Sequence, residues 1–139
     1  MERTESRLLL GRFLTRSGDQ AWDFALPLTL LHILPGNYRL AASLYLIVVL
    51  GQIIFLPRFA GLLDKLARPL AVKFGILLQL AGVISGVVFL QLLASNSDGA
   101  IFYSSFAGLA LAGIASSLGA SFMEITVAND LVPATLAKE

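Results

Sequence analysis

The sequence predicts an all-α integral membrane protein with four transmembrane helices, and three observations carry that reading. Of its 139 residues, 57% are hydrophobic and only 14% charged, whereas a soluble domain carries about 25% charged residues. The apolar residues form long runs without the polar face that a soluble helix would show. Each run reaches the ~20 residues needed to cross a hydrocarbon core, and turn-forming clusters separate them.

The first span covers residues 8–34 and is the unusual one, because it contains Arg12, Arg16, Asp19 and Asp23. Leu34-Pro35-Gly36-Asn37 marks a turn into the second span, residues 40–63. The charged connection Asp64-Lys65-Leu66-Ala67-Arg68 follows, and Pro69 is well placed in the first turn of the third span, residues 69–93,. Ser95-Asn96-Ser97-Asp98-Gly99 is a polar loop before the fourth span, residues 100–127, which Asn129-Asp130-Leu131-Val132-Pro133 is expected to end. Leu8–Leu10 is too short an apolar stretch for a signal peptide, so no cleaved targeting segment is read,.

Composition also excludes several classes. A net charge of +1 argues against a nucleic-acid partner, since neutralising phosphates takes clustered Lys and Arg,. With no Cys there is no thiolate metal site, disulfide or cysteine nucleophile, and the single His32 rules out an imidazole cluster within the chain,. His32 falls at the outer end of the first span, an exposed or interfacial position. No nucleophile, base and cofactor constellation marks an enzyme, and no resident cofactor is expected.

Orientation follows from the basic residues near the helix ends. Arg3, Arg7, Arg12, Arg16, Arg58, Lys65, Arg68, Lys73 and Lys138 fall on one side, and only Arg39 on the other. Both termini are therefore expected in the cytoplasm. Gly82-x-x-x-Gly86 and the stripe Gly108, Ala112, Ser116, Ala120 have the small-residue spacing that lets helices approach closely in lipid,. They are read as packing surfaces.

The chemistry concentrates in the first span. Thr15, Asp19 and Asp23 are spaced four apart, so their oxygens fall on one helix face,. A charged side chain at the helix centre costs about 2.5–3.5 kcal/mol on insertion scales, so this face should turn towards the bundle or a water-filled cavity. Asp19 could instead pair with Arg16 or Arg12 and merely anchor the helix. Hydroxyl and carboxylate oxygens suit hard or borderline divalent cations, and the carboxylates must be deprotonated to bind them. Pro27 removes a backbone hydrogen bond one turn beyond Asp23; it is either a kink that frees carbonyls for a cation or a tolerated membrane proline. Trp22 is read as packed in the bundle. Gln79, in the apolar third span, could hydrogen-bond a neighbouring helix or offer its carbonyl to a cation. Asp64, Lys65, Arg68 and Asp130 collect at cytoplasmic helix ends. Glu124, inside the last two turns of the fourth span, needs a partner or water, and Arg68 or Lys73 is the candidate partner.

Gly18-Asp19-Gln20-Ala21-Trp22-Asp23-Phe24-Ala25 resembles the first-helix signature of ferroportins, iron exporters of the major facilitator superfamily. Asp64-Lys65-Leu66-Ala67-Arg68 resembles their loop after the second helix, and Glu124-Ile125-Thr126-Val127-Ala128-Asn129-Asp130 the end of their fourth. The resemblance implies about twelve helices in two halves working by alternating access, of which this chain supplies the first four, a fragment truncated before the fifth. It implies that Asp19 is the principal metal ligand of the first half, with Thr15 one turn away, and that Gln79 occupies a divalent-cation position. Asp23 stands where animal members often have histidine, which puts metal preference in doubt. Asp64, Arg68 and Asp130 match the cytoplasmic gate.

The leading expectation is thus export of a divalent metal, iron(II), with proton exchange a coupling the carboxylates permit. The partners implied are the lipid bilayer and the remaining helices of the full-length transporter. A bacterial inner membrane is the expected location. The competing readings are a facilitator-type carrier of an organic solute, and a small four-helix membrane protein acting as a dimer.

Overall fold

A computed structural model describes the backbone of residues 2–96 and 99–136, and the side chains within it except those of residues 2–5, 7, 8, 63, 68 and 127–136. Four helices follow in order: α1 (Glu2–Ile33), α2 (Tyr38–Leu63), α3 (Arg68–Ser95) and α4 (Ala100–Leu136). They form two units, Met1–Ala42 and Ser43–Glu139. Among the described residues, three stretches are long and apolar enough to cross a membrane: Tyr38–Leu62, Pro69–Ser95 and Ala100–Thr126. The charged α1 is not among them.

The connections have the chemistry their residues suggest. Asn37 N–H donates to Leu34 O at 3.2 Å, and Gly36 takes φ +86°. Proline second and a left-handed glycine third is the demand of a type II turn. Asn37 O then accepts from Leu40 N–H at 3.1 Å to open α2. Pro69 sits in the first turn of α3, where the missing N–H would have no helical partner anyway,. At the other end of α3, both the N–H and the side-chain amide of Asn96 donate to Leu92 O at 3.1 Å.

Two helices run further than hydropathy indicates. α1 begins at residue 2 rather than 8, and α4 continues to residue 136, through the segment 129–133 expected to end it. Within the described side chains the apolar stretch of α4 runs from Ala100 to Thr126. Hydropathy marks where lipid ends, but backbone hydrogen bonding needs no lipid, and Glu, Arg and Leu in the first turns of α1 are good helix formers. At about 1.5 Å per residue, helices of 32 and 37 residues are about 48 and 55 Å long, against a hydrocarbon core of about 30 Å.

In the second unit α4 is the central helix. Of its membrane-length window 44% is buried, against 22% for α3 and 17% for α2. α3 packs along it antiparallel: Gly75 lies at Gly119, Gly82 at Ala112 and Ser116, and Phe89 at Gly108. A Cβ on Gly82 would stand 2.6 Å from Ser116 N and 2.8 Å from Ala112 O, and one on Gly119 would stand 2.6 Å from both Gln79 N and Gly75 O. These are backbone atoms, so only the missing Cβ allows the approach. The contact uses Gly119 where spacing by fours pointed to Ala120. Four residues overshoot a 3.6-residue turn, so after three such steps the stripe has drifted off the face and residue 119 has replaced 120.

α2 runs parallel to α4 and meets it at Val48 with Gly113, Gly51 with Ile114, and Phe59 with Phe122, whose rings are 6.2 Å apart. Between the ring pair and the glycines, Gln52 Nε2 donates to Ser121 Oγ at 2.7 Å, and Ser121 Oγ donates onward to Ser117 O at 2.9 Å. Leu90, Leu93, Leu109, Leu118 and Phe122 form the buried core of this unit. Leu46, Ile53, Leu77, Leu80, Ile84 and Leu111 remain exposed, a surface that lipid tolerates because its tails are equally apolar.

Two predictions test this packing. Gly82→Ala should destabilise the protein by about 1–3 kcal/mol, because the helices must part to admit the methyl group. Gly61→Ala, whose Cβ would meet nothing within 4 Å, should be neutral or stabilise by up to about 1 kcal/mol through helix propensity. Thermal melting in detergent compares the two. For the hydrogen bond, a double-mutant cycle with Gln52→Ala and Ser121→Ala should give a coupling of about 0.6 kcal/mol, the usual size inside a membrane bundle.

Candidate functional site

α1 is one continuous helix through every residue of the first-span signature, so spacing converts directly into geometry. Thr15, Asp19 and Asp23 share a face. The same face continues through Leu26 and Leu30, which are 8% and 1% exposed and are the most buried large side chains of the first unit. The carboxylates thus share a helix face with the two buried leucines,. Thr15 and Asp19 are half-buried, Asp23 is exposed, and Trp22 is half-buried beside them. His32 is exposed, as its terminal position suggests.

Thr15 Oγ1 donates to Gly11 O at 2.9 Å. That bond spends the hydroxyl proton on the backbone and leaves the oxygen lone pairs, the part a cation needs, uncommitted. Pro27 is half-buried and does not interrupt α1. Its imide nitrogen offers no proton to Asp23 O, the carbonyl it would otherwise serve.

Distance restricts how these oxygens can cooperate. Eight residues of helix rise about 12 Å, too far for Thr15 and Asp23 to reach one ion through such short side chains. Four residues rise about 6 Å, so Asp19 can share a cation with Thr15 or with Asp23. Asp19 is the common member of both pairs. Among the described residues, no three His, Asp or Glu side chains come together as a metal cluster. Two oxygens do not complete a coordination shell.

Gln79 belongs to the second unit, where it stands half-buried at a close approach of α3 to α4, its backbone N against Gly119. Asp64 and Lys65 are exposed in the α2–α3 connection, with Asp64 N–H donating to Ala60 O at 3.0 Å. The side chains of Arg68 and Asp130 lie outside the described residues. Glu124 is exposed near the end of the apolar part of α4 and is not without a partner. The polar pair Gln52 and Ser121 went unread in the sequence. Its signal was the one that singled out Gln79, an amide in an apolar run.

Comparison with known proteins gives this geometry a context. The Ferroportin1 (FPN1) family profile matches residues 2–135. The chain is 42% identical to a protein of Bdellovibrio bacteriovorus described as ferreportin, over 99% of this chain and 32% of that one. Among solved structures it matches a bacterial homologue of the iron transporter ferroportin, outward-facing with soaked iron, with a TM-score of 0.87, 42% identity and coverage of 94% of this chain and 34% of that one. The inward-facing structure of a bacterial homologue matches with a TM-score of 0.88 and 41% identity, over 96% of this chain and 34% of that one. The chain therefore spans about a third of the length of the relatives it matches. A profile that runs through all four helices shows that this chain belongs to the Ferroportin1 family.

Proposed function

We propose that the chain is the α1–α4 part of an exporter that moves a divalent metal, iron(II), across the membrane by alternating access. The observation that carries the proposal is the Asp19 carboxylate on the seam of α1 that leads to buried Leu26 and Leu30. Membership of the Ferroportin1 family and the likeness to a homologue soaked with iron support it.

In this reading Asp19 is the principal ligand from these helices. Thr15 contributes its hydroxyl oxygen on one side, and Asp23 closes on the ion from the other as the site changes shape. Gln79, in the second unit, is a further candidate cation ligand through its side-chain carbonyl. Further ligands come from the remaining helices of the transporter. Carboxylate and hydroxyl oxygens hold a dication without the tight grip of thiolates, which favours release on the far side. Because only the ionised carboxylate binds, protons compete with the metal and can serve as its exchange partner. Asp64, Arg68 and Asp130 act as a cytoplasmic gate, closing helix ends by ion pairs that break when the site opens inward. The protein is a multi-pass membrane protein; the proposal places both termini in the cytoplasm and the chain in a bacterial inner membrane.

Calorimetric titration of Fe(II), Co(II), Mn(II) and Zn(II) into the full-length protein tests the ligand assignment. Asp19→Asn should weaken binding at least about 100-fold and Asp23→Asn by less, on the scale by which ligand-shell losses reduce metal affinity. Unchanged binding in Asp19→Asn would favour an organic-solute carrier. Topology has its own test, and these four helices bring no native cysteine to it. Asn37→Cys should react with an impermeant maleimide in intact cells, and Lys65→Cys only after the membrane is opened.

A further inference from the structure

The seam of α1 carries more than carboxylates. Arg12, Arg16, Asp19, Asp23, Leu26 and Leu30 follow one another at intervals of four, three, four, three and four residues. On an unbroken helix this alternation keeps all six side chains on a single face,. Its far end is buried at Leu26 and Leu30, and the two arginines, themselves exposed, share this face with the candidate ligands,. Residues 12–23 contain no other charges, and their two guanidinium groups balance their two carboxylates.

Position along the seam separates the two arginines. Arg16 precedes Asp19 by three residues, a rise of about 4.5 Å, while Arg12 precedes it by seven, about 10.5 Å. Helical side chains lean towards the N-terminus, which inclines the Asp19 carboxylate back over the turn that holds Arg16. Arg16 is exposed and Asp19 half-buried, and neither is without a partner.

We propose that Arg16 is the tethered counter-cation of Asp19, neutralising the carboxylate when the site is empty and withdrawing when a divalent cation arrives. This rests on the reading of Asp19 as a metal ligand. The need is electrostatic: a partly buried carboxylate without a counter-charge is costly, and a guanidinium remains charged at any physiological pH. The same charge opposes a dication bound to Asp19. Metal entry is then an exchange of one cation for another, and the returning guanidinium assists release. The long apolar stem of Arg16 lets its head retreat towards the aqueous end of α1, the direction in which helical side chains already lean. Arg16 is a positioning residue in this scheme and touches no metal.

The test is Co(II) calorimetry on the full-length protein and on Arg16→Gln, Arg16→Met, Arg16→Lys, Arg12→Gln and Asp19→Asn. Both neutral Arg16 variants should bind Co(II) about tenfold more tightly, the effect of removing a unit charge some 6 Å from a dication in a water-filled site. Arg16→Lys should return to within about threefold of the parent, and Arg12→Gln should change affinity less than about threefold, since its charge lies farther off and is screened. Without metal, Arg16→Gln should melt below the parent, and Co(II) should raise its melting temperature by more. Binding abolished in Asp19→Asn but unchanged or weakened in the neutral Arg16 variants would overturn the exchange alone. Tightening by Arg12→Gln equal to that by Arg16→Gln would also overturn it, as an effect of overall charge. Binding indifferent to Asp19→Asn, or absent from the parent, would overturn the ligand reading and the exchange together.

Discussion

The close approach of α3 to α4 is the constraint on which the second unit depends. Lipid supplies no hydrophobic force between helices, since tails and side chains are alike in polarity, so contact must come from dispersion at short range. Gly82 against Ala112 and Ser116, and Gly119 against Gly75 and Gln79, bring backbone to backbone with no side chain between. Once α4 is held in this way, its other face is available to α2. The pairings of Gly51 with Ile114 and of Gly113 with Val48, the bond from Gln52 to Ser121, and the tilted rings of Phe59 and Phe122 follow along it.

Polar groups inside these spans meet their needs locally. Ser121 passes its proton to Ser117 O, and Ser85 and Thr126 donate one turn back to Ala81 O and Phe122 O. Such bonds hide a hydroxyl at small energetic gain and leave its oxygen able to accept, which is how Ser121 also serves Gln52,. Thr15 does the same on α1. Charged groups have no such local solution. The charges of α1 therefore stand out as the part of the chain where ordinary membrane packing is given up, and where function is expected to reside.

The seam of α1 shows how that expense is contained. Its apolar end is buried at Leu26 and Leu30, whereas Thr15 and Asp19 are half-buried and Asp23 and the two arginines are exposed. Opposite charges on the same face limit the net field, and helix continuity through Pro27 keeps all of these groups in register. The incomplete donor set is consistent with a chain that spans a third of its relatives.

Much of this was legible in the residues themselves. Four helices, the Pro35-Gly36 turn, the placement of Pro69 and the face shared by Thr15, Asp19 and Asp23 all follow from hydropathy, backbone restriction and helical periodicity, which act over a few residues. The ends of α1 and α4 did not, because hydropathy reports the solvent around a helix and not whether its hydrogen bonds continue. Nor did the choice of Gly119 over Ala120, or the pairing of Gln52 with Ser121. By itself the sequence determined which segments are helical and which face of α1 is charged. Only the tertiary structure decided which small residues touch and which polar groups meet, because contact depends on the cumulative rotation of one helix against the surface of another.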